Sequence, residues 1–218
     1  MTQGASAGRL LAGGLAASVA ALLVFGWLAE RVATGTTIAM DGAVRSFLHQ
    51  HSSPGLTALM RFASGIGETV PLLILSAAAF VFLLIAYSGR PAAFFALTMG
   101  GSFVLDTTLK LAFHRPRPAP FFGTPEPQTY SFPSGHAIFA ACYFGILAAF
   151  VTARIRSRWA RGAIWFAAGT ITGLVGYSRI YLGVHYPSDV IAGYAASVVW
   201  VTAAAHADRL LRRRQRQD

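Results

Sequence analysis

A serine, a glycine and a histidine follow a proline at Pro133-Ser134-Gly135-His136, where a polar stretch gives way to an apolar run from Ala137 to Ala153. Proline, serine and glycine suit the start of a helix better than its interior. A serine there can cap the first turn, and the unpaired backbone N–H groups of that turn form an anion site. His136 then stands in the first turn, facing whatever those groups hold. A hydroxyl, a small residue that allows close approach and a titratable ring together suit phosphate chemistry. The plain structural alternative for this stretch alone is a capped membrane helix with an interfacial histidine.

Two more groups of unusual residues flank it. Lys110 to Pro118 reads KLAFHRPRP, with Lys110 and Arg117 seven apart, and Lys110 is the chain's only lysine. Ammonium and guanidinium groups are not interchangeable, so a lone lysine in an arginine-rich chain points to a specific task. Ser178 to Asp189 reads SRIYLGVHYPSD, with Arg179 directly after Ser178, His185 six later and Asp189 four beyond that. These stretches match the signatures K-x6-RP, PSGH and SR-x5-H-x3-D, in order and without a departure. In this the chain resembles the type 2 phosphatidic acid phosphatase superfamily, which also includes vanadium-dependent haloperoxidases and glucose-6-phosphatase. The resemblance spans residues 110–189 and implies an all-α, integral-membrane phosphatase. It implies His185 as nucleophile, Asp189 as its orienter and His136 as general acid.

The residues support the same chemistry. Phosphoryl transfer needs charge on the equatorial oxygens to be stabilised and the entering and leaving groups held in line. Lys110, Arg117 and Arg179 supply positive charge. Ser134 and the N–H groups of Gly135 and His136 supply neutral donors. His185 can attack phosphorus through one ring nitrogen while Asp189 holds the other. His136 can protonate the leaving oxygen and then activate water. No metal and no cofactor is expected, because the cations are side chains. Simpler roles exist for single residues: Asp189 as a helix-start carboxylate, Arg179 as an arginine snorkelling to the interface. Asp106 lies four before Lys110 on one helix face and is expected to pair with it. His114 and Arg115 lie outside the signatures, to tune substrate binding or to face water. Tyr177, Tyr181 and Tyr186 read as aromatic belt. His49 and His51 have no visible partner, and His206 reads as interfacial.

The chain that must position these groups is 55% hydrophobic and 12% charged, with a mean hydropathy of +0.53. A soluble domain carries about 25% charged residues. The expectation is one polytopic membrane domain over residues 1–218, a bundle of six transmembrane helices. Cys142, the one cysteine, excludes an intrachain disulfide and a Cys-rich metal site and suits packing. The spans are expected at Leu10–Ala29, Thr69–Gly89, Pro91–Phe113, His136–Ala153, Gly162–Ser178 and Ser188–His206. The first is expected to be retained rather than cleaved as a signal peptide. In residues 30–68, charges recur and cancel. Val44, Phe47 and Leu48, then Leu56, Leu59, Met60 and Ala63 after Ser53-Pro54, fall at helical spacing. They predict two short amphipathic helices at the membrane surface.

The formal net charge of +10 is topogenic. Arg9, Arg90, the group Arg154, Arg156, Arg158 and Arg161, and the tail arginines 209, 212, 213, 214 and 216 share one face if there are six spans. The positive-inside rule makes that face, and both termini, cytoplasmic. All signature residues then lie at the outer face of a bacterial cytoplasmic (inner) membrane. A nucleic-acid partner is not expected, since a juxtamembrane arginine run meets anionic lipid. The expected partners are the bilayer and a lipid phosphate, with undecaprenyl diphosphate favoured. A broad phosphatidylglycerophosphate or phosphatidic acid phosphatase is the alternative. A vanadate-dependent oxidant is a further option within the superfamily. From another class, ionisable residues at span ends can mark a transporter or channel. The sequence carries no sign of an oligomeric state.

Overall fold

Prolines, glycines and apolar runs divide the chain into helices. A computed structural model describes residues 2–215, and among them the only regular structure is eight α-helices. They are α1 (Thr2–Ala33), α2 (Ile38–Gln50), α3 (Pro54–Ile66), α4 (Thr69–Ala86), α5 (Gly89–Phe113), α6 (Gly135–Ala153), α7 (Arg158–Tyr181) and α8 (Pro187–Arg214). Of the basic tail, Arg216 lies outside the described residues.

Local chemistry sets the ends. Ser53 is extended and accepts the Leu56 N–H at 3.3 Å, with Pro54 in the first turn of α3. Ser157 caps α7 in the same way through the Ala160 N–H. Helix α5 stops at His114, which is left-handed (φ 47°) and returns its N–H to the Lys110 carbonyl at 3.0 Å. Pro116 and Pro118 follow, so the chain cannot resume the helix there.

Five helices are long and apolar enough to cross a membrane: residues Ala12–Ala33, Thr69–Ala86, Gly89–Phe113, Gly135–Ala153 and Pro187–Arg212. The other expected span falls in α7. At 24 residues it has the length, but arginines, glycines and threonines dilute its apolarity below that of the five. Helix α7 packs along α6 and α3, with its buried residues, Val175, Gly176, Ser178, Arg179 and Tyr181, gathered at its C-terminal end. Lipid-facing apolar residues stand far out on the spans, such as Leu23 on α1, Ile85 on α4 and Leu97 on α5.

The bundle is built from neighbouring pairs α4–α5, α5–α6, α6–α7, α6–α8 and α1–α8. One core joins Ala79 and Leu83 of α4, Ala92 and Phe95 of α5, and Tyr143 and Ile146 of α6. Another joins Ile138 and Cys142 of α6 to Ala196 of α8, so the cysteine packs inside. Helices α2 and α3 lie as expected in sequence. Met60 and Ala63 of α3 are buried, while Val44, Phe47 and Leu59 point outward. Leu48 and Leu56 pack on Met60, Tyr181 and Leu182.

Helix direction sorts the charges. Lys110 lies in the last turn of α5 and Arg179 in that of α7, while His136 and Asp189 lie in the first turns of α6 and α8. Alternating helices bring all four to one end. At the opposite end Arg90 pairs with Asp208 at 2.9 Å and Arg212 with the same carboxylate at 2.8 Å. There Arg154 also donates to the Ala86 carbonyl and stacks over Tyr87.

Candidate active site

The turn between α7 and α8 carries His185. Gly183 makes it possible: φ is +78°, and a Cβ there would stand 2.7 Å from the Phe121 backbone nitrogen. The N–H groups of Val184 and His185 both return to the Arg179 carbonyl, so the turn stays attached to the end of α7. Pro187 then starts α8 and places Asp189 in its first turn. The ring of His185 is 1% exposed and lies between two partners. Its Nδ1 faces Asp189 Oδ2 at 3.3 Å, and its Nε2 faces Arg117 Nη1 at 3.0 Å. The network assigns the proton to Nδ1, toward the carboxylate, and the lone pair to Nε2, toward the guanidinium. Burial pushes the imidazole down to about 4; Asp189 opposes that, while Arg117 and Arg179 add to it. The ring is therefore neutral at pH 7.

Arg117 is held on three sides. It donates to the Thr129 carbonyl at 2.6 Å, the Thr129 hydroxyl at 2.9 Å and the Val184 carbonyl at 2.8 Å. Arg179 donates to the Ser64 hydroxyl of α3, and its Nε is buried with no protein partner. Lys110 pairs with Asp106 at 2.8 Å, as the spacing predicts. Asp106 in turn backs onto the start of α6. A Cβ on Gly135 would stand 2.9 Å from Asp106 Oδ1, so only glycine allows this approach.

Ser134 takes the N-cap position of α6, but its side chain makes no capping hydrogen bond, contrary to the expectation. Its backbone does the holding instead: its N–H donates to the Asp189 carbonyl at 3.0 Å, and its carbonyl accepts from Ile138 at 3.1 Å. The Ser134 hydroxyl and His136 Nε2 are buried without protein partners. Unpartnered polar atoms of Ser134, His136 and Arg179, with Asp106 Oδ1 beside Gly135, thus gather at the end of the bundle where His185 stands. Among the described residues, no group of three or more His, Cys, Asp or Glu is placed to hold a metal ion.

All eight expected site residues, Lys110, Arg117, Ser134, Gly135, His136, Arg179, His185 and Asp189, come from four helix ends and the loops between them. Several residues outside that set also enter the site. Arg115 is not a solvent-facing neighbour: it is buried, donates to Asp189 Oδ1 at 2.6 Å and to Asp41 Oδ2 at 2.8 Å, and lies 4.0 Å from the Tyr186 ring centroid. Asp41, fully buried on α2, also accepts from the Ser188 N–H and hydroxyl. Ser131 donates to Asp189 Oδ2. Two readings as aromatic belt change: Tyr181 is fully buried and meets Thr57, and Tyr186 stacks on Arg115. His49, without a visible partner in sequence, stacks on Phe121 at 4.2 Å. Asp41 has one sequence signal, as the only acid in α2; Ser64 and Ser131 have none.

Known proteins resemble this chain in sequence and in fold. The PAP2 superfamily profile matches residues 91–213. Phosphatidylglycerophosphatase B of Bacillus subtilis is 29% identical over 83% of this chain and 89% of its own length. An undecaprenyl-diphosphatase of Sulfolobus acidocaldarius is 40% identical over 32% of this chain and 30% of its own. Among solved structures, the transmembrane PAP2-type phosphatidylglycerolphosphate phosphatase of Bacillus subtilis superposes with a TM-score of 0.80 at 27% identity, covering 88% of this chain and 96% of that one. Aquifex aeolicus LpxE gives 0.59 at 25% identity, over 75% and 93%. With its three signatures gathered at one end of the bundle and more than half its length matched, the chain belongs to the PAP2 superfamily.

Proposed function

We propose that this protein is a membrane lipid phosphatase that works through a phosphohistidine at His185. The observation that carries it is the buried His185 ring, held by Asp189 on Nδ1 and facing Arg117 on Nε2. In the first step Nε2 attacks phosphorus, the bond to the lipid oxygen breaks, and His136 gives that oxygen a proton. In the second, His136 takes a proton from water, which attacks the phosphohistidine and frees inorganic phosphate. Lys110, Arg117 and Arg179, with the Ser134 hydroxyl and the N–H groups of Gly135 and His136, neutralise the equatorial oxygens. These side chains supply the positive charge, so the reaction is proposed to run without a metal ion.

Helix α7 is proposed as the sixth span, with α2 and α3 at the outer interface. Both termini are then cytoplasmic, and the site opens to the outer leaflet of a bacterial inner membrane. The Arg154–Arg161 group and the basic tail support that orientation. An outward site favours undecaprenyl diphosphate as substrate, and the partial match to an undecaprenyl-diphosphatase supports it. Phosphatidylglycerophosphate is a second reading, favoured by a phosphatidylglycerophosphatase relative that matches over most of both chains. A transporter or channel fits less well, because the ionisable residues gather at one end and not at mid-depth. The test is phosphate release by purified protein from a panel of lipid phosphates and diphosphates, with and without EDTA. No release from any of them would overturn the proposal.

A further inference from the structure

Behind Asp189 lies a buried string of charges that the three signatures leave out. Asp189 accepts on both oxygens. Oδ2 takes the Ser131 hydroxyl, the Tyr186 N–H at 2.9 Å and His185 Nδ1 at 3.3 Å; Oδ1 takes Arg115 at 2.6 Å. Arg115 is then shared with Asp41 on α2, which also holds both the N–H and the hydroxyl of Ser188. The α5–α6 loop, the first turn of α8 and helix α2 are thus locked together behind the His185 ring.

We propose that Arg115 and Asp41 are positioning residues for His185, setting the orientation and the charge of the carboxylate that holds its ring. The proposal rests on the reading of His185 as nucleophile. The hydrogen-bonded string itself, two carboxylates and one guanidinium, carries a single negative charge, with Arg45 of α2 as a further cation beside it. That charge balances the imidazole ring as it turns cationic on forming a bond to phosphorus. Without Arg115, Asp41 and Asp189 would lose the guanidinium that lies between them, favouring a protonated His185 that cannot attack. Without the Asp41 charge, Arg115 would face Asp189 alone and favour the neutral ring. Geometry matters equally: Arg115 lies against Tyr186, the residue after His185, so losing it frees the turn as well as the carboxylate.

The other titratable or charged groups around the ring and its carboxylate are Arg117 from the loop after α5, Arg179 at the end of α7, His136 at the start of α6 and Arg45 of α2, which donates to the Gly183 carbonyl and acts on both Asp41 and Asp189. The Lys110–Asp106 pair lies behind them on α5, and all of these stay unchanged in the variants.

The experiment uses the full chain in detergent micelles, with ring-nitrogen NMR of ¹⁵N-histidine-labelled protein. His185 is assigned by difference from His185→Gln. In Arg115→Gln the His185 midpoint should rise by about 1–3 pH units from about 4. Its kcat on a soluble short-chain lipid phosphate should fall about 100-fold with KM changed far less, the pattern for a misplaced reacting group. Arg115→Lys should recover part of both. In Asp41→Asn, which can still accept from Ser188, His185 should be more neutral at pH 4 than in the parent. Opposite shifts in the two charge variants are what a merely structural role would not give. A His185 midpoint unchanged in folded Arg115→Gln, or moved upward or not at all in Asp41→Asn, would overturn the proposal. If Arg115→Gln does not fold, Asp41→Asn decides alone. The NMR arm needs no turnover, so it stands even if the wild-type protein releases no phosphate, which would sink the nucleophile reading instead.

Discussion

Gly67, at the end of α3, is expected to be a more severe site for alanine than any surface glycine, because it touches the proposed general acid. A Cβ at this position would stand 2.7 Å from His136 Cδ2, 3.3 Å from its Cγ and 3.0 Å from Val175 Cγ1. The backbone is no obstacle, with φ at −91°. Ordinary contact begins at 3.4 Å, so about 0.7 Å of overlap must be relieved. Val175 is fully buried and β-branched, with little freedom at χ1. The His136 ring, with an unpartnered Nε2, is the group that gives way. A misplacement near 1 Å costs about 100-fold in rate, so Gly67→Ala should lower kcat about 10- to 100-fold. Overpacking should cost about 1–3 kcal/mol of stability. Gly65→Ala, two residues earlier in α3 and with nothing within 4 Å of its added carbon, is the control. It should keep full activity. The assay is steady-state hydrolysis of a soluble short-chain lipid phosphate, beside thermal unfolding of both variants in detergent. Full kcat in Gly67→Ala would show that His136 is not the group whose position limits the reaction.

Four further outcomes are expected. His185→Ala should abolish turnover and acid-labile phosphate incorporation while the detergent-extracted protein still unfolds cooperatively; substantial residual activity would remove His185 from the nucleophile role. Activity on the soluble substrate should survive EDTA, and a strict need for added Mg²⁺ would refute the side-chain charge clamp. Because His185 titrates at about 4 in the folded chain and 6.5 when free, the unfolded state binds the extra proton between those values. Its contribution to stability should be complete above pH 6.5 and fall by about 1.4 kcal/mol per pH unit down to about 4, a loss that His185→Gln should lack in acid unfolding. Finally, in a Cys142→Ala background, a cysteine in the 124–129 loop should react with an impermeant maleimide in intact spheroplasts. One beside Arg158 should react only after lysis, and the reverse pattern would invert the topology.

The amino-acid sequence determined most of the helices and the chemistry at their ends. Apolar runs and their punctuation by Pro54, Ser88-Gly89-Arg90, Pro116 and Pro187 are local signals, and a helix is a local structure. The alternation of spans also determines which ends face the same way, so Lys110, His136, Arg179 and Asp189 were expected together before any packing was known. The pair Asp106–Lys110 was legible because residues four apart share a helix face. Helix α7 shows the limit on the apolar signal: it has the length of a span, but its arginines, glycines and threonines leave it less apolar than the other five.

Which polar side chains leave solvent depends on how the helices pack. Arg115 and Arg117 differ by two positions in one loop, yet one seals a buried string behind Asp189 while the other meets His185. Asp41 and Ser188 lie 147 residues apart, and their hydrogen bonds exist only because α2 docks on the start of α8. Gly67, Ser64 and Gly135 matter for what approaches them from other helices, and Ser134 sends its backbone, not its hydroxyl, into the packing against α8. Each is a contact between segments distant in the chain. A buried charge settles where another segment brings its counter-charge, and that meeting is a property of the packed bundle.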